Sequence, residues 1–137
     1  MYNKSMEKFS NSQQQTEEIA FEYAKTLSKG DVVVLEGDLG AGKTAFTKGV
    51  CKYFGINDGV TSPTYAYLNI YDDLIYHYDC YRLSSGEDAL FLGLTDYFNK
   101  DNICLIEWAE NIIDVLPSKV KRVKITKIGQ DKRKIIL

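Results

Sequence analysis

The sequence offers little material for a disulfide framework, a zinc site or a membrane span. Its three cysteines, Cys51, Cys80 and Cys104, are widely separated and odd in number, which predicts neither disulfides nor a metal cluster. No apolar run approaches the roughly 18 to 20 residues that a transmembrane helix requires. The opening stretch, MYNKSMEKFSNSQQQ, lacks the apolar core of a signal peptide. We therefore expect a cytoplasmic protein whose cysteines are buried small apolar side chains.

Basic residues are concentrated after residue 118. The formal net charge is −2, yet the last segment carries eight basic residues against one acid, Asp131. The basic residues are Lys119, Lys121, Arg122, Lys124, Lys127, Lys132, Arg133 and Lys134. A basic edge on an acidic body suits nucleic acid or an acidic partner protein. A solvated face of a terminal hairpin is the alternative, and the sequence leaves both open.

The pattern along the chain is that of one α/β domain over residues 1–137. Strand and helix patterns alternate without repeats or a linker, which predicts a three-layer fold with a mostly parallel sheet flanked by helices. Ser12 and Gln15 have capping-box spacing, which predicts a helix from there to Gly30. Residues 32–35 are an apolar run typical of a strand covered on both faces. Later segments predict a helix over 43–54, strands over 65–71 and 74–79, a short helix over 86–94, a strand over 103–108, a helix over 109–116 and a closing antiparallel hairpin around Gly129.

The segment GDLGAGKT, residues 37–44, matches the phosphate-binding loop pattern G-x-x-x-x-G-K followed by Ser or Thr. Its glycines let successive backbone N–H groups turn toward phosphate oxygens, and the helix that follows adds its positive end. We expect Lys43 to reach the β and γ phosphates and the Thr44 hydroxyl to ligate magnesium. The predicted nucleotide-binding residues of this segment and of the position after it are Asp38, Leu39, Gly40, Ala41, Gly42, Lys43, Thr44 and Ala45.

Hydrolysis of a bound triphosphate also needs an acid to complete the metal site and a group to orient water. Two strand ends offer candidates. Glu107 ends the apolar strand ICLIE, where a Walker B carboxylate would face magnesium, and Asp79 ends LIYHYD. Either carboxylate could instead be an exposed strand end. His77, the only histidine, shares a strand face with Asp79, and for a lone histidine a structural role is favoured.

The sequence indicates which nucleotide is bound and which reaction follows less clearly than it indicates the phosphate-binding loop. Residues 99–102, NKDN, lack the final Asp of a guanine-reading motif and precede their strand, so ATP is favoured over GTP. Small-molecule kinases hold the moving phosphate with several arginines on a lid. Arg82 is the only arginine before the basic tail, and it could equally be a partner contact or half of a salt bridge. A kinase, or a binding module in which ATP orders a docking surface, stays an alternative to an ATPase.

Four segments together resemble the TsaE family, bacterial ATPases of threonylcarbamoyladenosine synthesis. GDLGAGKTAFTKG, VTSPTY at 60–65, HYDCYRL at 77–83 and IEW at 106–108 occur in the order and spacing of that family. The resemblance implies a P-loop ATPase, dependent on ATP and magnesium, that acts with the TsaB and TsaD proteins in modifying the tRNA adenosine beside the anticodon. It implies no membrane association, and leaves tRNA contact through the complex open.

The same resemblance implies roles for individual residues. Thr44 and Glu107 would be magnesium ligands, and Trp108 would neighbour the nucleotide. Asp79 would be a catalytic acid, and we count Lys43 and Glu107 with it as catalytic residues. Residues 62–64, Ser-Pro-Thr, would be either a loop that senses the γ-phosphate or a turn set by Pro63. Trp108 could also pack in the core, as tryptophan near a strand end commonly does.

Overall fold

The computed structural model describes residues 6–38, 40–61 and 67–137. Its strands are β1 (Glu7–Ser10), β2 (Val32–Glu36), β3 (Leu68–Tyr71), β4 (Ile75–Asp79), β5 (Ile103–Glu107), β6 (Lys121–Lys127) and β7 (Arg133–Ile136). Its α-helices are α1 (Gln13–Ala24), α2 (Lys43–Tyr53) and α3 (Gly86–Phe91), and two 3₁₀ helices span Leu94–Tyr97 and Ala109–Val115. Within these ranges the strands form one sheet in the order β1-β7-β6-β2-β5-β4-β3.

The centre of the sheet is parallel and its margins are antiparallel. Strand β2 pairs in parallel with β5 and β6, and β4 pairs in parallel with β5. The β1–β7, β6–β7 and β3–β4 pairs are antiparallel. The predicted α/β fold, with a parallel centre and a C-terminal hairpin, is thereby confirmed. The carboxyl ends of β2, β4 and β5 meet at one edge of the sheet, which is where open α/β sheets bind ligands.

Helices cover the central strands on both faces. On one face α1 and α2 pack against alternate residues of β2 and β5, among them Val33, Leu35 and Leu105. On the other face α3 and the 3₁₀ helices pack against Val34 and Ile106. Because both faces are covered, β2 and β5 consist of continuous apolar runs. All three cysteines are buried with free thiols, as predicted.

Two predicted helices differ from the structure. Helix α1 begins after Ser12, whose Oγ accepts a hydrogen bond from the Gln15 N–H, but it ends at Ala24 instead of reaching Gly30. Beyond it, the Thr26 hydroxyl donates to the Tyr23 carbonyl, and such local side-chain bonds compete with the helical ladder. The segment Ala109–Val115 is 3₁₀ instead of α-helical, and the non-helical backbone of Ile112 (φ −130°, ψ 27°) divides it into two short pieces.

Strand β1 was not predicted from the sequence. It pairs with β7 along one margin of the sheet, and Met6 and Leu137 extend that pairing with mutual backbone hydrogen bonds. The two strands are far apart in the sequence, so no local pattern predicts that they pair. Among the described residues, no helix is long and apolar enough to cross a membrane.

Candidate functional site

The loop that joins β2 to α2 lies at the carboxyl edge of the parallel strands. Gly40 and Gly42 have φ angles of +80° and +113°, a region that favours glycine. Gly37 approaches β6 so closely that an added Cβ would lie 2.6 Å from the Ile125 carbonyl oxygen. Gly42 is the N-cap of α2 and has no side chain to satisfy the N–H groups of the first turn. A phosphate oxygen is a suitable acceptor for such groups.

A cavity of about 460 Å³ opens on this loop. Its walls are the loop and the first turn of α2, Ser12 and Thr16 at the start of α1, Glu107 at the end of β5, and Asp131 and Arg133 of the C-terminal hairpin. The volume falls within the range of small-molecule sites. The cavity therefore brings together loop, strand end and hairpin around one ligand-sized space.

Lys43 reaches three groups around this cavity. Its Nζ donates to the Gly37 carbonyl at 2.7 Å, lies 3.6 Å from Oε1 of Glu107 and lies 4.8 Å from the ring centroid of Trp108. The residue is only 6% exposed. A buried ammonium is costly unless partners compensate its lost hydration, and a carbonyl, a carboxylate and an aromatic face do so here. The predicted phosphate-binding lysine thus lies at the cavity wall, where these three groups stabilise its charge.

Glu107 is held between Lys43 and His77. Its Oε2 lies 2.5 Å from Nε2 of His77, and the two residues are 5% and 0% exposed. A carboxylate only accepts hydrogen bonds, so we assign the proton of this bond to Nε2. Within the described part of the chain, Nδ1 of His77 has no hydrogen-bond partner. His77 therefore orients one oxygen of Glu107 and leaves the other toward Lys43.

Asp79 lies one strand away from Glu107. The two are Cα partners in the parallel pairing of β4 with β5. The Oδ1 atom of Asp79 accepts a hydrogen bond from the Tyr81 N–H at 3.0 Å, and the residue is absent from the cavity lining. The structure thus brings Lys43, Thr44 and Glu107 to one cavity, with Asp79 beside them at the adjacent strand end.

Trp108 touches the site through Lys43 rather than by lining the cavity. Its backbone has a φ of 58°, uncommon for a residue with a side chain, at the point where β5 passes into the 3₁₀ helix. Its ring packs edge-on to Tyr81 at a centroid distance of 5.0 Å and partly against the core below α3. Trp108 therefore packs as the alternative expected and also meets Lys43, while its place beside the nucleotide stays a prediction.

The remaining predicted residues have varied positions. Asp38 is exposed, and its carbonyl accepts a hydrogen bond from the Ala41 N–H at 3.0 Å. Ala45 is buried and lines the cavity. Leu39 and the segment 62–66, which contains the Ser-Pro-Thr sequence, lie outside the described residues, so their assigned roles stay predictions.

The cavity suits a magnesium ion that takes some of its ligands from the protein and the others from a bound phosphate. Among the described residues, no three or more His, Cys, Asp or Glu side chains form a group that could hold a metal. Magnesium is commonly bound by one or two protein oxygens together with substrate phosphates and water. Thr44 and Glu107 supply such oxygens, and both line the cavity. The residues present therefore fit the predicted ion without forming a complete site of their own.

Sequence reasoning missed Arg133. Its Nε donates to the Ala41 carbonyl at 2.7 Å and its Nη2 to the Gly40 carbonyl at 3.3 Å. Three other basic residues of the tail pair with acids elsewhere in the fold: Lys121 with Asp31, Arg122 with Glu36 and Lys134 with Glu7. The predicted C-terminal hairpin is the signal that could have identified Arg133. If its first strand pairs in parallel with β2, the turn of the hairpin lies next to the phosphate-binding loop.

Comparisons with known proteins agree with this fold. The family model described as "Threonylcarbamoyl adenosine biosynthesis protein TsaE" matches residues 10–135. The chain is 42% identical over 125 residues to a tRNA threonylcarbamoyladenosine biosynthesis protein TsaE of Bacillus subtilis (strain 168), covering 89% of this chain and 78% of that protein. It is 41% identical over 127 residues to the protein of the same name from Rickettsia bellii (strain RML369-C), covering 90% and 88%.

A solved structure gives the same result. The crystal structure of Bacillus subtilis YdiB superposes with a TM-score of 0.82 at 37% identity, and the match covers 99% of this chain and 86% of that one. Sequence and fold thus point the same way, and the chain belongs to the TsaE family of tRNA threonylcarbamoyladenosine biosynthesis proteins.

Proposed function

We propose that this chain binds and hydrolyses magnesium-ATP and acts with TsaB and TsaD in threonylcarbamoylation of the tRNA adenosine next to the anticodon, in the cytoplasm. The observation that carries the proposal is the convergence of Lys43, Thr44 and Glu107 on one cavity at the carboxyl edge of a parallel sheet. Membership of the TsaE family supplies the pathway. The ATP and magnesium dependence follow from the loop chemistry.

Each residue contributes a distinct interaction. Lys43 supplies a positive charge at the cavity wall, and the first turn of α2 supplies N–H donors for phosphate oxygens. Thr44 and Glu107 would hold magnesium, which neutralises the charge that develops on the phosphates. His77 keeps the Glu107 carboxylate in one orientation through its 2.5 Å hydrogen bond. Asp79, at the neighbouring strand end, would orient the attacking water.

The isolated chain should be a poor ATPase. Each of the three guanidinium nitrogens of Arg133 donates to a backbone carbonyl, and Arg82 is an exposed residue that does not line the cavity. P-loop enzymes that lack an arginine at the γ-phosphate are slow, at about 10⁻⁴ to 10⁻³ per second in the case of Ras. TsaB and TsaD would supply the missing charge, and each tenfold gain in rate corresponds to about 1.4 kcal/mol of barrier.

ATP turnover of the purified chain, alone and with TsaB and TsaD, tests this proposal. We expect turnover to be slow alone and to rise at least about tenfold with the pair, as expected when a partner supplies a missing charge. The Lys43→Ala variant should abolish both rates. Turnover that is fast alone, or that does not respond to the pair, would contradict partner activation.

A nucleotide-dependent binding module is the second candidate. The observation that favours it is the position of Asp79, whose carboxylate is tied to the Tyr81 N–H and does not line the cavity. In that case ATP would order a docking surface and hydrolysis would be dispensable. The two candidates differ in a tRNA modification assay with a non-hydrolysable ATP analogue. An ATPase cycle predicts that modification stops after about one round, whereas a binding module predicts repeated rounds.

Docking itself should depend on the nucleotide if hydrolysis resets the complex. We expect the chain to bind TsaB and TsaD more tightly with the ATP analogue than with ADP, because only a ligand with differential affinity shifts an equilibrium. Equal affinity in the two nucleotide states would exclude the γ-phosphate as the switch.

A further inference from the structure

Arg133 connects the C-terminal hairpin to the phosphate-binding loop. On one side its Nε and Nη2 donate to the carbonyls of Ala41 and Gly40, at 2.7 and 3.3 Å. On the other side its Nη1 approaches carbonyls of the β6–β7 turn, at 3.1 Å from Lys132, 3.3 Å from Gln130 and 3.5 Å from Gly129. A planar guanidinium with five donors can serve two such sets at once, which a lysine ammonium cannot.

The bonds to the loop carbonyls have a consequence for the loop N–H groups. Within one planar trans peptide the C=O and the following N–H point in opposite directions. Holding the Ala41 carbonyl therefore also fixes the direction of the Gly42 N–H. Gly42 has a φ of +113° and no Cβ, so its backbone has few internal constraints. An external bond to this peptide is an effective way to limit the conformations of the loop.

We propose that Arg133 is a positioning residue that holds the phosphate-binding loop in its nucleotide-accepting shape through the carbonyls of Gly40 and Ala41. This inference rests on the proposed ATP site. Arg133 lines the cavity, which would also suit a group that contacts the γ-phosphate. The bonds from Nε and Nη2 to the loop carbonyls assign it to the loop instead, because with Nη1 held by the turn carbonyls only one N–H of Nη2 has no carbonyl acceptor.

Nucleotide affinity measured with two ligands separates these roles. In calorimetry, Arg133→Ala should weaken ADP and a non-hydrolysable ATP analogue by the same factor, about tenfold, since both use the loop N–H groups. Arg133→Lys keeps the positive charge but not the planar set of N–H donors, and it should recover only part of the affinity. Lys132→Ala removes an exposed charge from the same turn, and Arg122→Ala removes an arginine paired with Glu36; both should bind like the wild type.

A loss confined to the ATP analogue would overturn the inference in favour of a γ-phosphate contact. Wild-type affinity in Arg133→Ala for both ligands would overturn it outright, and so would full recovery in Arg133→Lys. An equal loss of affinity in Lys132→Ala would also overturn it, because the loss would then come from the positive charge of the turn and not from the bonds of Arg133.

Amide hydrogen exchange of the nucleotide-free protein tests the same inference without the ATP site. Arg133→Ala should exchange faster than the wild type at residues 40–44, while the amides of β2 and β5 keep their protection. Unchanged exchange at 40–44 contradicts the inference, and so does uniformly faster exchange, which indicates a general loss of stability. Should the wild type bind no nucleotide, the proposed function fails, and the exchange measurement still decides the role of Arg133.

Discussion

The Nε2 atom of His77 lies 2.5 Å from Oε2 of Glu107, and both side chains are almost completely buried. Strands β4 and β5 bring the two residues together, although 30 positions separate them in the chain. The second carboxylate oxygen lies 3.6 Å from the Lys43 ammonium. A carboxylate that is bound on both sides has one orientation, which is what a metal ligand requires.

Removing the His77 bond should loosen Glu107. We expect His77→Leu to weaken the magnesium dependence of nucleotide binding and to lower the free energy of unfolding by about 1 to 3 kcal/mol, because the carboxylate loses a buried donor. His77→Gln can place an N–H near the position of Nε2 and should recover much of the magnesium dependence. Calorimetry with and without magnesium, together with urea unfolding, measures both effects. Equal behaviour of the Leu and Gln variants would contradict a positioning role.

Substitutions of Glu107 and Asp79 should have different effects on binding and turnover. Glu107→Ala should lose magnesium-dependent binding, since Glu107 lines the cavity and contacts Lys43. Asp79→Asn should keep nucleotide affinity but lose turnover, because a water-orienting acid acts mainly in the transition state. The asparagine retains an oxygen that can accept the Tyr81 N–H, so the local turn is preserved. Unchanged affinity and turnover in both variants would remove both acids from the site.

Gly49 sets the distance between α1 and α2. A Cβ at this position would lie 2.6 Å from the Ala20 Cβ and would clash with the Glu17 carbonyl. Gly→Ala in a helix usually stabilises by about 1 kcal/mol, but here the helices must separate, and we expect Gly49→Ala to destabilise by about 1 to 3 kcal/mol. Gly129→Ala is the control, because its Cβ would make an ordinary 3.4 Å contact. A stabilised Gly49→Ala variant in urea unfolding would refute the close packing.

Stability should decline at alkaline pH because of the buried thiols. Burial, with a smaller contribution from Asp72 at Cys51 and from nearby acids at Cys80, raises the pKa of both thiols from 9.0 to about 12. Burial also raises the pKa of Cys104 to about 11. Since the folded pKa values lie above the unfolded ones, the stabilisation is complete below about pH 9 and is lost as the pH rises toward 12.

Urea midpoints at pH 8 and pH 10.5 check this pH dependence, together with the rate at which a thiol reagent modifies the folded chain. We expect a lower midpoint at the higher pH and slow modification of all three thiols until urea is added. Rapid labelling of the folded protein at pH 8 would show that a cysteine is accessible.

The parts of the site that the sequence predicts are those encoded locally. The loop over residues 37–44 is one continuous motif between a strand and a helix, so its place could be predicted without the fold. Glu107 was found because it ends a visibly apolar strand. The two-residue gap between the strands predicted over 65–71 and 74–79 is also a local signal, and Asp72 and Asp73 in that gap have the positive φ angles of a tight hairpin.

The parts that escaped prediction depend on pairing between distant segments. The bond of Arg133 to Ala41 spans 92 positions, and the edge pairing of β1 with β7 spans nearly the whole chain. The end of α1 escaped for another reason. Ala20, Tyr23, Ala24 and Leu27 keep helical spacing, but the bond from the Thr26 hydroxyl to the Tyr23 carbonyl accompanies a change of backbone that apolar periodicity does not reveal.

The most direct test of the central claim is a calorimetric titration of magnesium-ATP into three proteins: the wild type, Lys43→Ala and Lys52→Ala. Lys52 lies on the same helix, but its ammonium pairs with Glu17 on the surface, 2.6 Å away. We predict one site per chain in the wild type and in Lys52→Ala. In Lys43→Ala, affinity should fall by about tenfold to a hundredfold or more, as expected for the loss of a charge-assisted phosphate contact. Wild-type affinity in Lys43→Ala, or no binding by the wild type, would contradict the assignment of this loop as an ATP site.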